Sequence, residues 1–323
     1  MIDCENSIYV AGHKGMVGSA IHRLLISKGF KKILIIERSD LDLTDPEKVR
    51  NWYKLNKPEV TIIAAAKVGG ILANSTYPAD FLLENLKIQN NLIESAWKND
   101  CKRLLFLGSS CIYPKFSNQP ISEEELLSGY LEKTNDCYAI AKIAGLRLCE
   151  ALRDQYNFDA ISLMPTNLYG KNDNYELNNS HVLPALIKKF CDAVDTGLDE
   201  VICWGSGAPL REFLNVDDLA EACLFVLQNW NPENINSPKD INGNYLNHLN
   251  VGTGKDISIK DLAQLIASLV GYKGRISWDA KKPDGTPRKL LNIQRIQQLG
   301  WKPKIALEDG ILMAIKDYRN KFK

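Results

Sequence analysis

At 323 residues, 45% hydrophobic and 24% charged, the chain has the composition of a globular protein of one large or two ordinary domains, whose core needs no disulfide or metal staple. A net charge of +1 gives no bulk electrostatic case for nucleic acid or an anionic membrane surface. The eight cysteines (4, 101, 111, 137, 149, 191, 203 and 223) include no Cys-x-x-Cys pair, and there are only four histidines, so neither a disulfide framework nor a metal site is expected.

The N-terminus, Met1 to Glu5, carries two acids and no apolar run, unlike a signal peptide. The first strand is predicted at Ile8 to Ala11, and similar short apolar runs recur at Ile33 to Ile36, Val60 to Ala64, Leu104 to Leu107 and Ala160 to Leu163. Near-continuous hydrophobicity over four to six residues marks strands buried on both faces. Helical patterns lie between them, at Ser19 to Lys28 and at Asp80 to Lys98, where Phe81, Leu82, Leu86, Leu92, Ile93 and Ala96 share a stripe. This alternation predicts an α/β fold built on a doubly wound parallel sheet.

The first strand runs into Gly12-His13-Lys14-Gly15-Met16-Val17-Gly18, which opens the first helix. Glycines at these spacings permit a tight turn, close approach of a diphosphate and close helix–strand packing, and the helix N-terminus offers free N–H groups. The second strand leads to Glu37-Arg38-Ser39-Asp40. An acid there suits the ribose 2′-hydroxyl of NAD and a base the 2′-phosphate of NADP. Arg38 with Lys14 favours NADP and Glu37 argues for NAD; NADP(H) is the expected cofactor.

Tyr53 and Lys57 stand four apart before the third strand and read as a solvated helix edge. Tyr138 and Lys142 have the same spacing, on one helix face, but follow the fourth strand and its Gly108-Ser109-Ser110. An ammonium ~5 Å from a phenol is worth roughly 3 kcal/mol at an effective dielectric near ~20, enough to lower the phenol pKa by about two units. A general acid and its tuning group are therefore expected there.

Past Gly170 the rhythm changes, and Asn229 to Asn244 reads as an exposed loop. The longest uncharged apolar stretch, Leu262 to Tyr272, is well short of the ~18 residues of a membrane span, so a cytoplasmic protein is expected. The reading divides the chain into a dinucleotide-binding part over 1–173, to which a segment near 208–230 returns, and a smaller mixed α/β substrate part over 174–323.

The glycine motif, Ser109 and the Tyr138-x-x-x-Lys142 pair together resemble the extended short-chain dehydrogenase/reductases. Longer strings narrow the resemblance: Ala64-Ala65-Ala66-Lys67-Val68-Gly69-Gly70, Gly108-Ser109-Ser110-Cys111-Ile112-Tyr113-Pro114, Pro165-Thr166-Asn167-Leu168-Tyr169-Gly170, Asn179-Ser180-His181-Val182, Trp204-Gly205-Ser206-Gly207, Arg211-Glu212-Phe213 and Lys282 to Lys289. These are similar to the GDP-L-fucose synthase family, epimerase-reductases of a GDP-linked 4-keto-6-deoxy-mannose, over nearly the whole chain.

The resemblance implies roles. Ser109, Tyr138 and Lys142 match the reductase triad, and Cys111 and His181 the acid–base pair that inverts C3 and C5. Gly12, His13, Lys14, Gly15, Met16, Val17, Gly18, Arg38, Asp42, Leu43, Ala65, Lys142, the turn Pro165-Thr166-Asn167-Leu168 and His181 fall on the cofactor side. Asn167, Lys189, Trp204, Arg211, Asp284 and Lys289 fall on the substrate side. A C4 ketone acidifies the hydrogens on both neighbouring carbons, which is where a thiol and an imidazole would pass protons; without such a role Cys111 is a buried apolar thiol and His181 a loop histidine. Lys14 stands where arginine is common, Ile36 and Glu37 replace more polar or basic residues, and the Asn229 to Asn244 loop is longer than usual.

A homodimer is a family expectation, through the Asp80 to Lys98 helix and the helix after Tyr138, whose stripes equally suit a monomer's own sheet. Two other functions fit the same residues: a C4 reductase of a related GDP-4-keto-sugar, such as a 6-deoxy-heptose or dideoxy sugar, and a silent NADP-binding regulator. The intact triad argues against the regulator.

Overall fold

The computed structural model describes residues 1–177, 180–282 and 284–322. Asn179 and Pro283, members of two of the strings above, lie outside the described residues. The first half alternates strand and helix: β1 Ser7–Ala11, α1 Met16–Ser27, β2 Lys32–Leu34, α2 Pro46–Asn56, β3 Val60–Ile63, α3 Ile71–Thr76, α4 Pro78–Lys98, β4 Arg103–Leu107, α5 Asp136–Tyr156 and β5 Ala160–Pro165. The second half is more broken: β6 Asn167–Tyr169, α6 Val182–Thr196, β7 Glu200–Trp204, β8 Leu210–Asn215, α7 Val216–Asn229, β9 His248–Val251, β10 Asp256–Ser258, α8 Ile259–Val270, β11 Arg275–Asp279, β12 Arg288–Lys289, α9 Gln294–Gln298 and α10 Leu307–Phe322.

The main sheet is six-stranded and parallel throughout, in the order β2-β1-β3-β4-β5-β9. Every residue of β3, β4 and β5 is buried, as helices on both faces require. α2, α4 and α5 pack together, as do α1 and α7. The doubly wound α/β fold expected from the sequence is the one observed. Strand order reverses between β1 and β3, and in such sheets the crevice beyond the strand C-termini at that point receives ligands.

Three local readings change. The second strand is shorter than Ile33 to Ile36, because β2 is a half-buried edge and Ile35 emerges into solvent. Tyr53 is not on a solvated edge: it is fully buried on α2, hydrogen-bonded to Thr61 Oγ1 at 3.1 Å and set edge-on to Tyr9. The outer strand β9 comes from residues grouped by sequence with the substrate part. Its His248 and Asn250 are buried polar residues, and Asn250 accepts from the Tyr113 hydroxyl at 2.6 Å and donates to the Ile121 carbonyl at 3.0 Å.

The rest of the second half forms its own layers. β6, β10 and β12 pair with β8, β7 pairs with β11, and α6, α8 and α10 pack around a second core that includes Leu186, Phe190, Leu262 and Ile311. β5 and β6 are separated by Thr166 alone, so the chain steps from one sheet to the other there. In the long loop Ile235 and Ile241 are exposed, while Trp230 at its start is fully buried.

Candidate active site

The glycine loop makes the first wall. Gly12 has φ +84°, and a Cβ on it would lie 2.8 Å from the Ala65 backbone. A Cβ on Gly18 would sit 2.1 Å from the Gly12 carbonyl oxygen, so only glycines let β1, α1 and the end of β3 approach this closely. Gly15 caps α1 with no side-chain partner, which leaves first-turn N–H groups facing a cleft of about 650 Å³ lined by Gly15, Met16 and Val17. A cradle that any Cβ would fill, opening on a helix N-terminus, fits the diphosphate of a dinucleotide.

At the rim, beyond β2, Lys14 Nζ lies 2.5 Å from Glu37 Oε2 and His13 Nε2 lies 3.5 Å from Glu37 Oε1. The lysine contact holds the Glu37 carboxyl below the usual range. Arg38 is exposed beside them. The Asp42 carboxylate accepts from Thr44 N at 2.9 Å and Thr44 Oγ1 at 2.8 Å, and these bonds, aided by Arg38, hold its pKa down. Leu43 packs on the core, and its carbonyl accepts from Asn91.

The floor comes from β4 and α5. Beyond β4, Ser109 caps the turn Ser110–Ile112, its Oγ accepting the Cys111 N–H at 3.3 Å. On α5, Tyr138 and Lys142 both face the cleft. Lys142 Nζ donates to the Leu107 carbonyl at 2.8 Å and lies 4.9 Å from the Phe106 ring centre and 5.9 Å from that of Tyr138. The expected lowering of the Tyr138 pKa is not what this environment produces: burial raises it, with the nearby Cys111 adding to the rise. Burial also lowers Lys142, to about 8. The spacing places the ammonium correctly, but removal of water from both groups outweighs their attraction.

Cys111 is buried, and burial pushes its thiol up against the opposing pull of Lys289 and a Ser109 hydrogen bond. His181 caps α6 without a side-chain bond and faces the cleft, reachable by water yet crowded by protein; crowding, then the Lys289 ammonium, lowers its pKa. Pro165, Thr166, Asn167 and Leu168 span the step between the sheets, with Asn167 Nδ2 donating to the Glu212 carbonyl at 2.8 Å. The buried Glu212 carboxylate accepts from the backbone N–H groups of Thr253, Gly254 and Leu291 at 2.6, 2.6 and 3.0 Å, locking β8 and thereby Arg211.

The far wall is cationic. Lys189 Nζ donates to the Ile202 carbonyl at 2.7 Å and lies 5.4 Å from the Trp204 ring centre, with Lys282 at 4.9 Å. Arg211 donates to the Leu210 and Asp284 carbonyls, and the Asp284 carboxylate accepts from Ser206 N and Oγ. Burial lowers Lys189, Arg211 and Lys289.

One cleft thus brings together Ser109, Cys111, Tyr138, Lys142 and His181 with Lys189, Trp204, Arg211, Asp284 and Lys289. Gly12, Gly18 and Ala65 lie beneath the loop; His13, Lys14, Arg38, Asp42 and Leu43 are not part of its lining. Sequence reasoning missed Glu132, which faces the same wall and pairs with Lys115 at 2.8 Å, and Asp173. Asp173 lines the cleft almost wholly buried, with a pKa pushed up to about 7 by burial. Its place in Asn172-Asp173-Asn174, one residue beyond Tyr169-Gly170, was the available signal. Among the described residues no His/Cys/Asp/Glu cluster is arranged to hold a metal, no helix is long and apolar enough to cross a membrane, and the cysteines are free.

Residues 8–242 match the model of the NAD dependent epimerase/dehydratase family. The chain is 52% identical to GDP-L-fucose synthase 1 of Arabidopsis thaliana over 311 residues, 96% of this chain and 92% of that protein. It is 51% identical to the GDP-L-fucose synthase of Escherichia coli strain K12 over 307 residues, 95% and 94% of the two chains. The chain belongs to this family, in its GDP-L-fucose synthase branch. Among solved structures, MlghC, the GDP-mannoheptose C4 reductase of Campylobacter jejuni with NADP bound, matches this family member with TM-score 0.89 at 35% identity, covering 99% of this chain and 100% of that one.

Proposed function

We propose that this enzyme converts GDP-4-dehydro-6-deoxy-D-mannose to GDP-L-fucose by inverting C3 and C5 and reducing C4. One observation carries the reading: a thiol and an imidazole with oppositely shifted pKa values share a cleft with the Ser109, Tyr138 and Lys142 set. The cofactor is NADP(H), for which the glycine cradle and the Lys14 and Arg38 cations supply the binding surface. When bound it supplies the hydride that C4 receives.

The protein's own groups handle the protons. The raised thiol stays protonated and the lowered imidazole stays neutral at pH 7, so His181 is the base and Cys111 the acid. His181 takes the proton from the carbon next to the ketone; the C–H electron pair passes into an enolate whose oxygen is held by Ser109 and Tyr138. Cys111 returns a proton to the opposite face, and exchange with water resets the pair. In the reduction the Tyr138 phenol, kept protonated by burial, gives its proton to O4 while the Lys142 ammonium steadies the phenolate left behind.

Lys189, Arg211 and Lys289 face the GDP diphosphate across the smaller part of the molecule, taken as the substrate part over 174–323. The part over 1–173, with β9 added to its sheet and α7 packed against it, serves the cofactor. The enzyme works as a cytoplasmic homodimer; Leu83 on α4 and Ile140 on α5 supply exposed apolar surface for the twofold contact.

The test is NMR of the product formed from the GDP-4-keto-sugar and NADPH in deuterated water. Wild type should carry label at C3 and C5, and Cys111→Ala should lose inversion at one or both while still oxidising NADPH slowly. Reduction without label at either carbon would make the enzyme a pure C4 reductase, the reading favoured by its likeness to the heptose reductase structure.

A further inference from the structure

The rim beyond β2 holds an arrangement that the reduction chemistry does not use. Glu37 stands where an acid in a βαβ dinucleotide site accepts from the hydroxyls of an unphosphorylated adenosine ribose. Such a carboxylate must have its oxygens free, and here both are engaged: Oε2 lies 2.5 Å from Lys14 Nζ and Oε1 lies 3.5 Å from His13 Nε2. Both partners come from the glycine loop, so the pair bridges that loop to the end of β2. The lysine side chain is 72% exposed, and an ion pair so exposed adds little to folding. Its consequence is local charge. The charges of Glu37 (−1), Lys14 (+1) and Arg38 (+1) sum to +1, whereas without Lys14 these side chains sum to zero around a freed acid. The Asp42 carboxylate, also near Arg38, keeps its charge and accepts from Thr44, so Lys14 shifts the balance by one unit on that background.

We propose that Lys14 sets cofactor choice by capping Glu37: the ion pair turns an acid suited to NAD into part of a site for the 2′-phosphate of NADP. Lys14 acts here through Glu37 as well as on the phosphate, and the inference rests on the NADPH reading above.

Dissociation constants for NADPH and NADH, read from nicotinamide fluorescence in the absence of sugar, test it. Lys14→Met should weaken NADPH by about tenfold or more, the scale of one charge-assisted contact, and should tighten NADH several-fold as Glu37 is released. Lys14→Met/Glu37→Gln should lose that NADH gain, Lys14→Arg should restore the wild-type ratio, and Arg38→Ala should weaken NADPH with no gain for NADH. If Lys14→Met weakens NADPH and leaves NADH unchanged or weaker, Lys14 is only a phosphate contact and the capping role is overturned. If wild type binds NADH as tightly as NADPH, the cofactor reading itself fails, whatever the variants do.

Discussion

Lys142→Met should stabilise the fold at neutral pH while destroying the reductase. The ammonium is almost fully buried, donates a hydrogen bond to the Leu107 carbonyl at 2.8 Å, and has its pKa lowered from 10.5 to about 8 by burial. A shift of that size corresponds to roughly 3 kcal/mol of burial cost at about 1.4 kcal/mol per unit. Methionine has similar length, fills the same channel beside Phe106 and removes the charge, at the loss of one hydrogen bond worth about 1 kcal/mol. The net gain is about 2 kcal/mol at pH 7. Because the folded pKa lies below the unfolded one, the unfolded chain binds more protons between about pH 8 and 10.5, so wild-type stability rises with pH through that window. Urea unfolding at pH 7 and pH 10 should therefore show Lys142→Met ahead at pH 7 and the gap closing at pH 10, while turnover drops by about 10²-fold or more. A variant less stable than wild type at pH 7, or a gap that does not move with pH, would refute the argument that burial of this charge is costly.

Tyr138→Phe should lower turnover by about 10²–10⁴-fold with NADPH affinity nearly unchanged, since only the proton donor is lost; more than about a tenth of wild-type rate would take Tyr138 out of that role. Glu212→Gln should lower the urea midpoint by the equivalent of about 1–3 kcal/mol, because the amide turns an N–H₂ toward a backbone donor at Thr253/Gly254 or at Leu291; an unchanged midpoint would show that the carboxylate does not organise that junction. Cys111→Ala should abolish inversion at C3 or C5 without abolishing NADPH oxidation, as NMR of the product will report.

How much was legible in the sequence depended on whether the signal was local. β1, β3, β4 and β5 are buried on both faces, and their apolar runs announce them. β9 is equally buried but reads His-Leu-Asn-Val, and its Asn250 is satisfied by partners more than a hundred positions away, Tyr113 and Ile121. Tyr53 misled because α2 is polar overall and buries few residues, Val49 and Tyr53 among them. At the site, the four-residue spacing of Tyr138 and Lys142 and the glycine loop were visible, being local. The depth at which the Tyr–Lys pair is buried was not, and depth reverses the sign of the phenol shift. Lys189, Lys282 and Trp204 meet only because α6, β7 and the loop before β12 converge in space, so without the resemblance nothing in their spacing ties them together.

One physical cause sorts the proton chemistry of this cleft. Crowding by protein disfavours the charged form, so it raises Tyr138 and Cys111 and lowers Lys142 and, though water still reaches it, His181. Each shift is the one its task needs: a phenol that still holds a proton to give, a thiol that is an acid, and an imidazole that is a free base. Of these four, Lys142 is lowered to about 8 and so stays mostly charged at pH 7, its ammonium held by the Leu107 carbonyl. Lys289 works across this scheme, since its ammonium pulls the thiol and the imidazole down together. It reinforces burial at His181 and opposes it at Cys111, so the net rise of the thiol is the work of burial. Cys111 therefore begins with the proton and His181 without it, in the order that their ordinary values already set and that burial extends.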